Sequence, residues 1–515
     1  MKKFTADFET AIWLEDETFV WAWAVCEIGN EENIIIENNI ESFISFCKKQ
    51  KNATFYFHNL KFDGEFIISY LLKNGYTYKK DKKDVGNKTF TTLISDFGVF
   101  YQITIYFSVS GNKKVKATFI DSLKIIPFSV KQIAKAFDLQ EQKLEIDYKK
   151  ERSRNHTLTK EEKDYIKNDV VIVAKALSVI FSEGLTKMTQ GSNALFDFKR
   201  LKTKKDYERF FPTLTPDVDE KIRKSYKGGF TYLNPLYKEK EVKNVNVLDV
   251  NSLYPSVMRF EKLPFGEPLY FKGQYKEDKV YDLYVQSLTC SFKIKENKIP
   301  TIQIKNDRFH FKETEYLESS KGEIVFLTLT SVDLELFFKH YDVYNLKYIE
   351  GYKFKSINGI FDDYIDKWIA RKIKASKEKN QGQRTLAKLM LNALYGKFAT
   401  SLKVQNKMPY IDEDGIVKYK LSDVEIKNGL YIPIGTFITA YARRKTIETS
   451  QSIKEYSIKN YGKDFYIYSD TDSIHTLLSI EELKKFCDID DFELGKWKHE
   501  SFAKRRKVHQ TEMLH

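Results

Sequence analysis

Asp470 and Asp472 stand two residues apart in YIYSDTDSIHT, a run that otherwise reads as a buried strand. Side chains alternate along a strand, so both carboxylates fall on one face of a strand or tight hairpin. Two adjacent anions are unfavourable unless a cation lies between them, and a divalent metal is the obvious one. For a lone Asp-x-Asp a solvated turn is the alternative. Asp249 ends the strand pattern NVNVLDV and alternates with Val247. If the two strands are neighbours, three carboxylates converge, enough for two divalent ions. A second set lies near the start of the chain. Asp7 and Glu9 in FTADFET share one side of a predicted strand, and Asp63 in HNLKFDGEF sits at a strand-to-helix junction. Tyr165 and Asp169 in DYIKNDV lie four apart on one helical face. Each acid alone reads as a surface residue; together, beside apolar neighbours, they are costly to bury unpaired and suited to two hard metals.

A third pattern is cationic. In RTLAKLMLNALYGKF, Arg384, Lys388, Asn392 and Tyr395 recur at intervals of four, four and three, with Leu386, Leu389, Ala393 and Leu394 on the apolar side. A solvated helix face would account for the stripe but not for the Tyr-Gly pair that ends it. A triphosphate needs cations on one rigid face and a flat surface under its base, which Arg384, Lys388 and Tyr395 offer.

These residues need several elements to position them. At 515 residues the chain is too long for one core. Up to about residue 60 the pattern reads strand (FTADFET), strand (FVWAWAVCEI), helix (ESFISFCKKQ), strand (ATFYFHNL), with a helix in GEFIISYLLKNG next. TLISDFGVFYQITIYF and VKATFIDSL add strands. Thr159 and Glu162 form a capping-box pattern opening a long helix. An α/β domain over 1–189 is expected, then a basic helical linker, the VNVLDV strand, a strand-rich insertion over 261–358, helices over 359–400, a polar hairpin insertion over 401–432, and a helix PIGTFITAYARRKTIETSQSI feeding YSDTDS.

Lys plus Arg outnumber Asp plus Glu by 85 to 72, a net charge of +13, and 15% of residues are aromatic. Excess cation with many rings favours a nucleic-acid partner. The four cysteines, Cys26, Cys47, Cys290 and Cys487, show neither disulfide nor zinc spacing. Asp7 and Glu9 break the N-terminal apolar run, which argues against a signal peptide, and no run is long enough to span a bilayer. A soluble intracellular protein is expected.

The FTADFET, HNLKFDGEF and DYIKNDV stretches together resemble the DEDD-type 3'-5' exonucleases attached to family B DNA polymerases. The resemblance implies that Asp7, Glu9, Asp63 and Asp169 hold two metals and that Tyr165 orients the attacking water. It implies single-strand contacts for His58, Asn59 and Phe62, and for Ser122 and Leu123 in DSLKIIPF. Lys143 and Tyr148 in KLEIDY match positions that steady a frayed primer end. An aromatic and an amide beside splayed bases suit that task.

DVNSLYPS, KLMLNALYG and YSDTDS match the polymerase signature of family B. With the exonuclease motifs before them and KSYKGGF between, the chain resembles the protein-primed family B DNA polymerases of the small tailed phages from residue 4 to about residue 501. That resemblance implies an RNase H-like exonuclease domain (1–189) and a right-hand polymerase domain. The latter comprises a palm (190–260 and 433–515), fingers (359–400), an insertion contacting terminal protein and DNA (261–358), and a hairpin insertion for strand displacement and processivity (401–432). Asp249 and Asp472 would ligate the metals with the carbonyl of Val250, Asp470 supporting them. Tyr254 would gate the 2'-hydroxyl and pack under the sugar. Arg384, Lys388, Asn392 and Tyr395 would bind the nucleotide. Tyr226, Gly228 and Gly229 would contact template phosphates through exposed backbone N–H groups, and Thr439 and Arg443 in FITAYAR the primer strand. Implied partners are primer-template and single-stranded DNA, deoxynucleoside triphosphates, two Mg²⁺ or Mn²⁺ ions per site and a terminal protein, with the chain a monomer or a heterodimer with that protein in the bacterial host cytoplasm.

After KWKHES the family continues with an Arg-Gln-Lys-x-Tyr segment, further palm strands and a small thumb, whereas this chain reads FAKRRKVHQTEMLH. The thumb is therefore expected to be missing, as in a frameshifted or truncated reading frame, although Lys504, Arg505, Arg506 and Lys507 still attract phosphate. Two functions follow: a protein-primed, proofreading DNA polymerase, or a truncated form that keeps exonuclease and DNA or terminal-protein binding with weak or no synthesis. A third is a DNA and terminal-protein binding module, which predicts salt-dependent binding without metal-dependent turnover.

Overall fold

The computed structural model describes residues 2–11, 18–147, 150, 152, 153, 156–304 and 316–507. They divide into two units: Met1–Asp197 with Trp368–Met390 and Ser401–Lys427, and Phe198–Lys367 with Leu391–Thr400 and Asn428–His515.

The first unit is built on β1 (Lys3–Ala11), β2 (Phe19–Glu27), β3 (Asn30–Glu37), α1 (Ile40–Lys49), β4 (Thr54–Phe57), α2 (Leu60–Lys73), β5 (Thr77–Tyr78), β6 (Thr89–Ile94), β7 (Phe100–Ser110), β8 (Lys113–Asp121), α3 (Val130–Ala136) and α4 (Lys160–Ser182). One eight-stranded sheet runs in the order β3-β2-β1-β4-β8-β7-β6-β5. β1, β4 and β8 are parallel neighbours at its centre. One face buries Phe4, Phe8, Phe55, Phe57 and Phe119 under α1, which contributes Phe43, and α2. The other presents Ala22 and Ala24 to Tyr165, Ile166 and Val170 of α4. The capping box of α4 forms as its sequence predicts, Thr159 bonding Glu162 in both directions. β3 was not anticipated; its NEENIIIE sequence is a half-exposed edge strand whose alternation is too weak to register.

Then come α5 (Gln190–Arg200), α6 (Lys204–Phe210), α7 (Pro216–Arg223), β9 (Thr231–Leu233), β10 (Glu241–Val250), α8 (Leu253–Phe260), β11 (Leu263–Lys272), β12 (Leu283–Ile294), β13 (Val325–Thr330), α9 (Ser331–His340) and β14 (Tyr341–Ile357). Helices α10 (Asp362–Lys377) and α11 (Gln381–Phe398) follow, and short strands β15 (Lys403–Val404), β16 (Lys407–Ile411), β17 (Val417–Leu421) and β18 (Glu425–Ile426). The chain continues through α12 (Ile432–Tyr461), β19 (Tyr466–Asp470), β20 (Ser473–Thr476), α13 (Ile480–Leu483) and β21 (Trp497–Lys507).

In the second unit a five-stranded sheet has the order β21-β10-β20-β19-β9, and a four-stranded one β11-β14-β12-β13. The latter occupies the strand-rich stretch from 261, but with α9 packed on it through Leu334 and Phe337, a helix the strand reading missed. The 30-residue α12 carries Pro433 in its first turn and stops at Gly462, whose φ of 66° is the left-handed cap that glycine tolerates. The segment from Trp497 to Lys507, which the sequence left without a fold, is a strand paired along β10. Among the described residues, all four cysteines are buried free thiols and no helix is long and apolar enough to cross a membrane.

Candidate functional site

The first unit gathers its acids at the carboxyl ends of the parallel strands. Asp7 and Glu9 on β1 lie opposite Ala24 and Ala22 on β2, residues small enough to let α4 approach. Thr5, on the same face, donates its hydroxyl to the carbonyl of Val170 (2.8 Å) and pins α4 there. Asp63 enters from the first turn of α2, where its Oδ1 accepts the backbone N–H of Phe8 (3.2 Å). Asp7, Glu9 and Asp169 each bring a carboxylate oxygen within 4.8 Å of the others, the only such group of three among the described residues. They line a cavity of about 250 Å³ together with Asp63, His58, Asn59, Phe62, Lys143 and Tyr165.

The electrostatics ask for a cation. Burial, then the Asp169 charge, pushes the Asp7 carboxyl up to about 7. Burial followed by the Asp7 charge raises Glu9 and Asp63 well above the usual carboxylate range. Lys143 is the cation the protein itself supplies. Its ammonium pairs with Asp169 Oδ2 and donates to the Tyr165 hydroxyl at 3.3 Å. Asp169 Oδ1 is buried with no hydrogen-bond partner. A buried, unpartnered carboxylate oxygen facing two further acids fits a hard divalent ion.

The expected single-strand contacts divide. Asn59 is exposed and Phe62 is 50% exposed, on the rim of the cavity. His58 is held from behind: its Nε2–H donates to the carbonyl of Phe128 (2.7 Å), and Nδ1 faces Ser122 Oγ at 3.0 Å. Burial lowers its pKa, so the ring stays neutral. Ser122 is fully buried, its one hydroxyl proton lying between His58 Nδ1 and the carbonyl of Phe57 (2.9 Å), which corrects its expected role: it is spent on protein partners. Leu123 is half-buried, its N–H donating to Asp121 Oδ1 at 3.0 Å. Asp121 also accepts the N–H of Asn59 (3.1 Å), a fastening the sequence reading passed over although the acid stands within the DSLKIIPF motif. Tyr148 lies outside the described residues.

In the second unit β10 and β20 are antiparallel neighbours, with Asp249 opposite Ser473. Of the two expected settings, strand or tight hairpin, the structure has the hairpin: Asp470 ends β19 and Asp472 is the second residue of the turn to β20. Thr471 between them has a φ of 56°. The turn is tied on every side. Val250 N–H donates to the Asp472 carbonyl (2.8 Å), Thr471 N–H to that of Phe230 (2.9 Å), and Thr446 Oγ1 to that of Thr471 (2.7 Å). Thr231 Oγ1 donates to Asp470 Oδ1 at 3.0 Å. Asp249, Asp470 and Asp472 do not form a three-acid cluster of the kind found around Asp7. The Val250 N–H to Asp472 carbonyl bond joins the backbone next to Asp249 to that of Asp472.

Tyr254 on α8 and Tyr395 on α11 stack with ring centroids 3.8 Å apart and planes 20° from parallel. Burial raises both phenols, the neighbouring Tyr395 adding to the rise at Tyr254. On the same helix Arg384, Lys388 and Asn392 are exposed, as the stripe predicts, and Leu386 and Leu394 are buried. Tyr226 is half-buried and Gly228 exposed. Gly229 abuts the catalytic turn, since a Cβ there would lie 2.5 Å from Thr471 Oγ1.

Thr439 and Arg443, expected to touch a primer, are 1% and 3% exposed. Thr439 spends its hydroxyl on the carbonyls of Gly435 and Thr436 (3.1 Å each). Arg443 grips Asp333 with Nε and Nη2 (2.7–3.1 Å) and donates from Nη1 to the carbonyls of Lys227 (2.6 Å) and Gly228 (2.8 Å). Both side chains are consumed by protein partners, so Arg443 positions the KGG loop instead of meeting nucleic acid itself.

A sequence profile of DNA polymerase type B, organellar and viral, matches residues 44–485. The DNA polymerase of Bacillus phage phi29 is 46% identical over 507 residues, covering 98% of this chain and 85% of that protein. The chain belongs to the type B DNA polymerases. The polymerase superposes on phi29 DNA polymerase with primer-template DNA at a TM-score of 0.91, 44% identity, 99% of this chain and 86% of the other. The same phage enzyme with primer-template and incoming nucleotide gives 0.89, at 44% identity and 98% and 86% coverage. With single-stranded DNA it gives 0.90, at 43% identity and 98% and 85% coverage. The polymerase is thus a mixed α/β multidomain enzyme of the phi29 type, a DNA-directed DNA polymerase with the 3'-5' exonuclease characteristic of its family, and divalent metal use goes with that membership. A form reduced to exonuclease and binding is not favoured, because the likeness covers 98% of the chain in sequence and 99% in structure.

Proposed function

We propose that this polymerase copies a phage or linear-plasmid genome in the bacterial cytoplasm, starting each strand on the hydroxyl of a terminal protein and working as a monomer or a heterodimer with it. The observation that carries the reading is the presence in one chain of two separately built carboxylate sites, one beside a neutral His and an exposed Phe, the other beside stacked tyrosines on a cationic helix. The domain layout that goes with it is an RNase H-like exonuclease over 1–189, a palm over 190–260 and 433–515, fingers over 359–400, and two insertions, 261–358 for terminal protein and DNA and 401–432 for strand displacement and processivity.

In the exonuclease, Asp7, Glu9, Asp63 and Asp169 hold two Mg²⁺ or Mn²⁺ ions; in the polymerase, Asp249, Asp472 and the Val250 carbonyl do so, with Asp470 steadying the turn. When bound, these ions activate water, bring the nucleotide into line and stabilise the leaving oxygen. Tyr165 orients the attacking water. Asn59 and Phe62 hold the unpaired 3' end, Phe62 by stacking on a base. Arg384 and Lys388 bind phosphate, Asn392 and Tyr395 the rest of the nucleotide, and Tyr254 excludes a 2'-hydroxyl. Tyr226 and the KGG backbone follow the template.

The test measures extension and degradation of one primer in one preparation. Asp249→Ala and Asp472→Ala are expected to abolish extension and spare degradation, and Asp63→Ala to do the reverse; loss of both activities in every variant would sink the two-site assignment. Protein priming is read separately, as template-dependent ester formation between a deoxynucleotide and the terminal protein encoded by the same element. Full extension from a DNA primer without that ester would remove the priming part alone.

A further inference from the structure

The hairpin of β16 and β17 is docked on the exonuclease fold by contacts that converge on the helix carrying Asp63. Tyr419 donates its hydroxyl to Glu65 Oε2 at 2.5 Å. Its ring meets that of Phe100 edge-on, centroids 6.3 Å apart. Phe100 and Ile103 in turn press on the helix between those two acids: a Cβ on Gly64 would lie 3.0 Å from Ile103 Cδ1 and 3.2 Å from Phe100 Cδ1. Val417 and Tyr419 pack on the same core as Ile67 and Ile68 of α2. Beyond the hairpin the docking continues, Asp96 N–H donating to the carbonyl of Gln405 (3.1 Å) and Lys80 pairing with Glu425 (3.1 Å).

We propose that Tyr419 and Glu65 are positioning residues for proofreading: the insertion hairpin buttresses the first turn of α2 and thereby fixes Asp63 in the exonuclease site. The first turn has no side-chain cap of its own, since Asn59 at its start makes no capping hydrogen bond. Tyr419 holds it from outside instead, through Glu65 on one side and through Phe100 and Gly64 on the other. The inference rests on the exonuclease assignment above, and Asp63→Ala serves as the separate check of that assignment.

The experiment compares Tyr419→Phe, Glu65→Ala, their double variant and Glu65→Gln in the full chain. Loss of a charge-assisted hydrogen bond that positions a ligand is expected to lower exonuclease kcat on single-stranded DNA by about three- to tenfold, with KM moving less than about twofold. The half-saturating Mg²⁺ concentration rises in the same variants. The double variant is no worse than either single one, because both remove one interaction. Glu65→Gln, which keeps an acceptor for the tyrosine, retains most of the activity. Single-nucleotide incorporation at the other site stays at the parental rate, which excludes misfolding. Parental exonuclease kcat in both single variants, or fully additive losses in the double, overturns the proposal. If the parent itself degrades no DNA, or Asp63→Ala leaves degradation intact, it is the exonuclease assignment that fails.

Discussion

Replacing Gly229 by Ala tests how tightly the catalytic turn is held. The added Cβ would lie 2.5 Å from Thr471 Oγ1, 2.8 Å from its Cγ2 and 2.9 Å from its Cβ. These separations fall roughly 0.6 to 1.0 Å inside the distance at which such atoms pack comfortably. Thr471 cannot swing away cheaply, because its N–H is bonded to Phe230 (2.9 Å) and its carbonyl to Thr446 (2.7 Å). The strain therefore passes to its neighbours Asp470 and Asp472. A displacement approaching 1 Å at a reacting centre costs about 10²-fold in rate, or about 2.7 kcal/mol of barrier. Single-turnover incorporation of one deoxynucleotide reads this directly, and exonuclease activity in the same sample reports that the chain is folded. Combining the change with Thr471→Gly removes all three clashing atoms and places glycine where φ is already 56°, so most of the lost rate is expected to return. Incorporation within about threefold of the parent in Gly229→Ala, or no recovery in the double variant, would refute the idea that this contact sets the turn.

Arg443→Ala should destabilise the protein by about 3 to 5 kcal/mol in urea unfolding, because it strands the buried carboxylate of Asp333; the Lys227 and Gly228 carbonyls lose their donor as well. His340 gives a pH dependence. Burial lowers its imidazole from 6.5 to about 4, with Nδ1 against the Ile299 carbonyl at 2.7 Å and Lys298, Lys339 and Glu455 nearby. The unfolded chain takes up that proton first, so stability present above pH 6.5 drains away as pH falls toward 4, by about 3 kcal/mol in full, and His340→Gln should flatten this slope in melts between those values. Adding Mg²⁺ to metal-free protein should stabilise it by about 2 to 3 kcal/mol at a hundredfold excess over Kd, and Asp169→Asn should cut that gain; an unchanged gain places the ion elsewhere.

Much of both sites could be read from residue order because acids that share a metal must recur at spacings that local structure fixes. Tyr165 and Asp169 share a helical face by virtue of a four-residue interval, and the Arg384 to Asn392 stripe is exposed for the same reason. What spacing does not reveal is which way a side chain is spent. Ser122, Thr439 and Arg443 sit in matching motifs, yet each is buried and committed to protein partners. Serine, threonine and arginine bond backbone carbonyls or carboxylates as readily as phosphates, and only the third dimension tells which is nearer. The same limit explains the turn at Thr471. Alternation predicts one face for Asp470 and Asp472, but a residue at positive φ breaks the alternation between them. Likewise β21 is invisible in WKHESFAKRRK because its edge position leaves most of its polar side chains in solvent.

The two carboxylate sites meet like-charge repulsion in different ways, and the difference bears on how each comes to hold metal. Around Asp7 three acids are already gathered within 4.8 Å, their carboxyls pushed up by burial and one another, with Lys143 drawn in as partial compensation. Asp7, Glu9 and Asp169 would hold a divalent ion there, and its charge would take over the compensation that Lys143 supplies. Around Asp249 the acids stand on a strand end and a hydrogen-bonded turn, and among the described residues they form no such group of three. If Asp249 and Asp472 hold an ion, they would need further oxygens from elsewhere, which a triphosphate would carry. Degradation should therefore respond to metal concentration alone, whereas synthesis should respond to metal and nucleotide together, each lowering the concentration of the other that half-saturates the rate.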